Sequence, residues 1–183
     1  RNNEPDASDF EVLAGKYLPA FQPPDTEHYI RLTSHRKLAN DINIGELAKL
    51  SGESVIYRAS SSGIVDLKSL PVEEELHLKA GAQVMFVRND LRGEHRYFNG
   101  KIGIVTELSP NHIQVTFPDG QSLDVEQELW TFIQYQQNQN DQLSETSTGE
   151  FRQYPLRLAW AITIHKSQGL TFDQAIIDAG QVV

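Results

Sequence analysis

The stretch AWAITIHKSQGLTFD, residues 159–173, decides how the chain is read. An apolar run delivers Thr163, His165, Lys166, Ser167 and Gln168, and Gly169 follows. The spacing predicts a mostly apolar, buried helix over residues 160–168, ended by that glycine. Leu156–Ala159 before it and Gln174–Asp178 after it read as short strands. Hydroxyls, an imidazole, an ammonium and an amide then gather around one helix end and its turn. Such a set suits phosphate oxygens, which accept hydrogen bonds from hydroxyls and cations alike. The plainer reading is a helix C-terminus whose Lys166 and His165 complement the dipole, and composition alone favours it.

Upstream, Tyr29–Leu32 reads as a short buried strand. Thr33 and Ser34 follow, and then a helix from His35 to Leu50. Leu38, Ile42 and Leu47 recur there at helical spacing, Gly52 supplies the stop, and Ser34 is the candidate N-cap. From Val55 the hydrophobic period changes to two. Candidate strands are Val55–Arg58, Gln83–Arg88, Ile102–Leu108, His112–Phe117, Gln121–Val125 and Trp130–Tyr135, with Asn99-Gly100, Pro110-Asn111 and Pro118-Asp119-Gly120 as turns. Residues 136–150, QQNQNDQLSETSTGE, read as a long exposed hairpin or loop. Residues 1–28 carry Pro5, Pro19, Pro23 and Pro24 and read as a leading arm or linker, with one or two helical turns around Val12, Leu13, Tyr17 and Leu18. An α/β unit opens the chain, a β unit interrupts it, and α/β returns. The simplest topology is a small antiparallel barrel inserted into an α/β domain.

Composition narrows the function. The chain has 183 residues, of which 39% are hydrophobic and 22% charged, which fits a folded globular protein. Its 16 Lys+Arg against 25 Asp+Glu give a formal charge of −9. Coating nucleic acid or anionic membrane by bulk charge is therefore excluded, and any nucleic-acid contact must come from a local patch. Cysteine is absent, so thiolate metal sites, disulfides and cysteine nucleophiles are excluded; a reducing, cytoplasmic compartment is expected. No apolar stretch reaches the ~20 residues of a membrane span, and no membrane partner is expected. The histidines at 28, 35, 77, 95, 112 and 165 lack metal-ligand spacing, so no metal site is expected. Arg1 opens the chain and Met85 is its only methionine, which leads to the expectation of a piece of a longer protein.

Residues 159–173 closely resemble a late motif of superfamily 1 helicases of the Pif/RecD type, A-[IL]-[ST]-I-H-K-[SA]-Q-G-x-T-[FIL]-[DE]. Two further stretches share the resemblance: LKAGAQVMFVRND (78–90) with YFNGKIGIV (97–105), and IRLTSHRKLANDIN (30–43). It covers residues 29–183. It implies a RecA-like parallel-sheet domain, 29–79 and 154–183, interrupted by an SH3-like β-barrel, 80–153, that carries the polar hairpin at 136–150. It further implies that Thr163, His165 and Lys166 face the sugar-phosphate backbone of single-stranded DNA. Thr33 and Ser34 would take another phosphate, and Gln168 and Gly169 would sit near an ATP cleft. The parent would be an ATP-dependent DNA helicase using ATP and Mg2+, translocating 5′ to 3′ and paired with an N-terminal RecA-like domain of the same chain.

Two other features bear on this. Arg88, Arg92, His95, Arg96 and Lys101 cluster around Tyr97 and Phe98, a pattern that fits a nucleic-acid rim contacted by Arg92 and Arg96, or equally a solvated hairpin tip. The Gly-Lys pairs at 15–16 and 100–101 lack the G-x-x-x-x-G-K-[ST] frame of a phosphate-cradling P-loop. No catalytic residue is therefore expected here, and the chain alone is expected to bind no ATP or Mg2+. The competing expectation is a non-catalytic SH3-like module that binds nucleic acid or protein. Ile176-Ile177-Asp178 reads as a core strand ending in a turn, and Glu73-Glu74-Glu75 as a solvated face.

Overall fold

The computed structural model describes residues 6–19, 21–24, 28–137 and 143–178. In chain order the elements are α1 (Ala7–Gly15), β1 (Ile30–Thr33), α2 (Arg36–Lys49), β2 (Val55–Arg58), β3 (Ser60–Gly63), a 3-10 turn (Leu67–Ser69), β4 (Glu75–Leu78) and β5 (Gln83–Phe86). Then follow β6 (Ile102–Ser109), β7 (His112–Thr116), β8 (Ser122–Asp124), β9 (Glu128–Gln137), β10 (Leu143–Gln153), β11 (Leu156–Leu158), β12 (Ala161–Thr163), α3 (Ile164–Ser167) and β13 (Ala175–Asp178). The fold is mixed α/β. A parallel sheet of order β12-β1-β13 stands beside an antiparallel sheet of order β11-β5-β6-β7-β8, with the smaller antiparallel sheets β2-β4 and β3-β10-β9.

The parallel sheet joins distant segments. Leu32 pairs with Ile162 on one side and Ile177 on the other, so residues 30–33 and 161–178 share one layer across the sequence between them. Its open edge at β12 is closed by a side chain. The Asn43 amide Nδ2 donates to the Ala161 carbonyl and its Oδ1 accepts from the Ala161 amide, both at 2.9 Å. One carboxamide thus does the hydrogen bonding of a missing strand and fastens α2 to β12.

β5 forms the wall between two cores. All four of its residues are buried. Val84 and Phe86 enter the larger core with Leu78, Val105, Ile113, Val115 and Leu156, while Met85 points into the smaller one with Ile30, Ala159 and Ile162. A strand buried on both faces explains why this stretch is continuously apolar instead of alternating. β6 and β7 alternate, with Gly103, Val105, Ile113 and Val115 inward. Phe86 stacks on Tyr97 at 4.2 Å between ring centroids, which fastens the following loop to the core. Gln83 is 3% exposed, and its Nε2 donates to the carbonyls of Tyr29 (3.1 Å) and Ala159 (2.9 Å), tying the two sheets together.

Several expectations are corrected. The region around Ala161 is not a buried helix. It is strand β12 followed by the single turn α3, because Ile162 and Thr163 are β-branched and the strand's backbone finds partners on both edges, Asn43 for Ala161 on one and β1 on the other. Ser34 does not cap α2: the N-cap is His35, with no side-chain cap bond. Leu156–Leu158 joins the antiparallel sheet opposite Val84–Phe86, not the parallel one. Among the described residues, pairing in the five-stranded sheet runs from β11 to β8 without closing into a barrel. The polar segment 136–150 contributes to β9 and β10, which pair along their length, while residues 138–142 lie outside the described residues, as do 1–5 of the leading arm and 179–183. β10 also pairs with β3, and there Gly149 stands opposite Gly63 at φ +70°; a Cβ on either would run into the backbone of the other strand's segment. The leading arm forms helix α1, with an Asp6–Asp9 capping box and Phe10, Val12 and Leu13 exposed. Glu73–Glu75 are exposed, Glu75 pairing with Arg58 at 3.0 Å.

Replacing Asn43 by Ala leaves the Ala161 N–H and C=O buried without partners. At about 1–3 kcal/mol for each orphaned group, urea unfolding should show a loss of roughly 2–6 kcal/mol, most of it absent in Asn43→Ser only if water enters.

Candidate nucleic-acid interface

The carboxyl ends of the parallel strands set the site. β1 ends at Thr33, and its parallel neighbour β12 ends at Thr163, which stands opposite it in register. Both threonines are buried, at 0% and 7% exposure. The Thr33 hydroxyl is shared between the carbonyls of His35 (3.2 Å) and Ile162 (3.4 Å), so it shapes the β1–α2 turn. Ser34 lies exposed on that turn. After Thr163 the chain makes one helical turn and presents His165 and Lys166 to solvent. Ser167 donates its hydroxyl to the Ile164 carbonyl at 2.7 Å, and the Leu170 amide returns to the Ser167 carbonyl at 3.0 Å. Gln168 ends α3 and is exposed. Gly169 has φ +79° with open space around it, so backbone conformation, not crowding, selects glycine there. The structure thus brings Thr33, Ser34, Thr163, His165 and Lys166 to one end of one sheet, with Gln168 and Gly169 one turn further on.

Lys166 sits among cations. Its side chain is exposed overall but partly desolvated against the cavity wall; that desolvation foremost, then the positive charges of Arg157 and Arg36, lower its proton affinity, and Glu73 acts the other way. Burial likewise lowers that of Arg157. Sequence reasoning missed both arginines. The legible signal was Arg157 interrupting an otherwise apolar strand.

The basic loop is a different case. Asp90, its side chain wholly buried, accepts from Arg96 Nε (2.8 Å) and Nη2 (3.1 Å) and from the backbone amides of Arg92 (3.1 Å) and Arg96 (3.2 Å). Arg92 forks onto both oxygens of Glu126. Arg88 donates to the Leu129 carbonyl and lies 5.2 Å from the Trp130 ring, and Lys101 lies 3.5 Å over the Phe117 ring. Of the five basic residues only His95, at φ +52°, has no such partner among the described residues. The loop holds its own cations, while its far end reaches the site: Asn99 lines a cavity with Lys166, and Gly100 lies against Leu170. Among the described residues no three His, Asp or Glu gather as a metal site, and no helix is long and apolar enough to cross a membrane.

A parallel α/β layer with polar residues collected at the carboxyl ends of its strands is the frame on which phosphate-handling proteins are built, so the class is an α/β domain of that kind joined to an antiparallel sheet. No family model matches the chain. The ATP-dependent DNA helicase Pif1 of Psychrobacter sp. is 34% identical over 196 residues, covering 81% of this chain and 29% of that protein. Unliganded Pif1 from Bacteroides sp. matches with a TM-score of 0.86 and 33% identity over 97% of this chain and 40% of that one. Bacteroides Pif1 bound to ssDNA matches at a TM-score of 0.71, with 34% identity over 94% of this chain and 39% of that one. The chain belongs to the Pif1 helicase family, of whose proteins it is a partial region.

Asp90 supplies a pH test. Its hydrogen bonds from Arg96 hold its carboxyl well below the usual carboxylate range. A group depressed in the folded state contributes stability that is complete above its unfolded value of about 3.9 and is lost as pH falls toward its folded value. Thermal melts should therefore fall progressively below about pH 4. Asp90→Asn should be less stable at pH 7 and show a flatter acid limb; an unaltered acid limb would remove Asp90 as its source.

Proposed function

We propose that the chain is the part of an ATP-dependent DNA helicase that grips one strand of DNA during 5′ to 3′ translocation. The observation that carries this is the Thr163–His165–Lys166 turn at the carboxyl end of the parallel sheet, in a chain of the Pif1 family. In this reading residues 29–79 and 154–183 are the second RecA-like domain, and 80–153 an inserted SH3-like unit lying over the DNA, its pairing open at β8 and β11. Ser34, Thr163, His165 and Lys166 meet the backbone, which carries no base information. Thr33, Arg92 and Arg96 act differently: their polar atoms already have partners, and they shape the two loops.

ATP and Mg2+ belong to the parent. The nucleotide supplies the free energy of translocation when bound. The described residues offer Gln168 and the turn at Gly169 to one side of it, but no carboxylate group for a metal and no Gly-rich phosphate cradle. The fit is that of one wall, completed by an N-terminal RecA-like domain of the same protein, and no hydrolytic step is assigned to these residues.

Two measurements test the reading. A labelled oligothymidylate should bind the chain weakly, and more weakly as salt rises; replacing His165 and Lys166 together with Ala should weaken binding about tenfold or more, equally across sequences. Unchanged binding in the double variant would move the DNA site away from this turn. In a phosphate-release assay with saturating single-stranded DNA, the chain alone should be silent and the full-length parent active, since phosphoryl transfer needs the P-loop lysine and bound metal. Silence in the parent would favour a binding module without catalysis.

A further inference from the structure

Beside Lys166 lies a cavity of about 780 Å³ that the reading above does not use. Its wall carries Arg36, Lys68, Arg157 and Lys166 against Glu73 and Glu74, two positive charges in excess within a chain of net charge −9. Its floor is apolar, from Met85, Val87 and Leu170.

Three elements converge to build it. Arg36 is the first residue of α2, whose N-cap His35 makes no side-chain cap bond, so the first amides of the helix face the same end of the sheet. Lys166 lies on α3, just past β12. Arg157 is held opposite Met85 in the β11–β5 register, which turns its side chain onto the Met85 face of the sheet, away from the larger core. Its Nε is buried without a hydrogen-bond partner among the described residues. Arg157 lines the cavity with no acceptor for its Nε within the described fold, and a phosphate oxygen is the acceptor that guanidinium geometry fits best. Desolvation first, and the mutual repulsion of Arg36, Arg157 and Lys166 after it, lower the proton affinities of the last two, and the repulsion is relieved by the same anion.

We infer that this cavity, lined by Arg36, Arg157 and Lys166, seats a phosphodiester of the bound single strand, with its sugar over Met85, Val87 and Leu170; the inference rests on the DNA-gripping reading above. Glu73 opposes the phosphate and limits how long it stays, as a site that must release its strand at each step requires. A free phosphate shares the chemistry, so the test separates the two sources.

Oligothymidylate binding is measured across a salt series for the unsubstituted chain and for Arg36→Ala, Arg157→Gln and Glu73→Gln, and inorganic phosphate is titrated with amide NMR shifts as the readout. Each arginine variant should bind several-fold more weakly and lower the log–log salt slope by about 0.7, the value for one lost single-strand phosphate contact. Glu73→Gln should bind more tightly, and it keeps the inference testable if Arg157→Gln fails to fold. Unchanged affinity and slope in both arginine variants, with the His165/Lys166 double variant still impaired, overturns the inference and leaves the DNA-gripping reading standing. If the unsubstituted chain does not bind oligothymidylate while phosphate shifts the Arg36 and Lys166 amides, the strand as source is overturned along with that reading. With neither response, the cavity holds no phosphate.

Discussion

A three-stranded parallel sheet has more edge than centre, and one carboxamide makes this one workable. Asn43 supplies both hydrogen bonds to Ala161 that a fourth strand would supply, and it does so from the helix that packs over the sheet. Everything at the site depends on that bond pair. It holds β12 in register beside β1, which sets Thr163 against Thr33, and it fixes α2, which puts Arg36 beside Lys166. Gln153 does comparable work elsewhere. Fully buried, its Nε2 donates to the carbonyls of Tyr57, Glu73 and Glu74 and its Oε1 accepts from the Tyr154 amide, holding the segment before β4 against the end of β10. Buried amides are costly unless each donor and acceptor is matched, so these positions admit few substitutes.

The order of α/β, β and α/β units was legible because the hydrophobic period changes strongly at Val55, although the return to the parallel layer comes at Ala161 and not directly after Pro155. The strands β6 and β7 were legible for the same reason, with alternation visible in IGIVTELS and HIQVT. What failed was local. Trp160, Ala161, Ile162 and Ile164 give residues 160–168 enough apolar bulk to read as helix, and only the parallel partner β1, 129 residues away at the Thr33–Ile162 contact, turns Ala161–Thr163 into a strand. The glutamine-rich stretch, by contrast, reads as a long exposed hairpin or loop, and β9 and β10 do pair antiparallel through backbone bonds, which polar side chains do not oppose. At the site, Thr163, His165 and Lys166 stand out in the sequence as an unusual polar run. Arg36 and Arg157 do not, because what distinguishes them is a neighbour on another element.

The charges divide into two populations. Around residues 88–101 the cations face acids, carbonyls and aromatic rings of their own chain, and Asp90 is buried at the centre of the loop. Around α3 three cations face one another with fewer acids between them. Counting basic residues would rank the first region above the second. Counting partners reverses the ranking, and it explains how a chain carrying −9 keeps a small electropositive surface.

Gln83 has a mechanical meaning. Its single amide nitrogen holds the carbonyl before β1 and the carbonyl before β12, while its own backbone belongs to β5 of the antiparallel sheet. A load applied to the antiparallel sheet therefore reaches both neighbouring parallel strands at once. Strands tugged together keep their register, whereas a strand tugged alone unzips bond by bond. The seam between the two sheets behaves as a rivet and not as a hinge, so a pull arriving through one sheet is delivered to the Thr33 and Thr163 ends as a displacement of the whole unit.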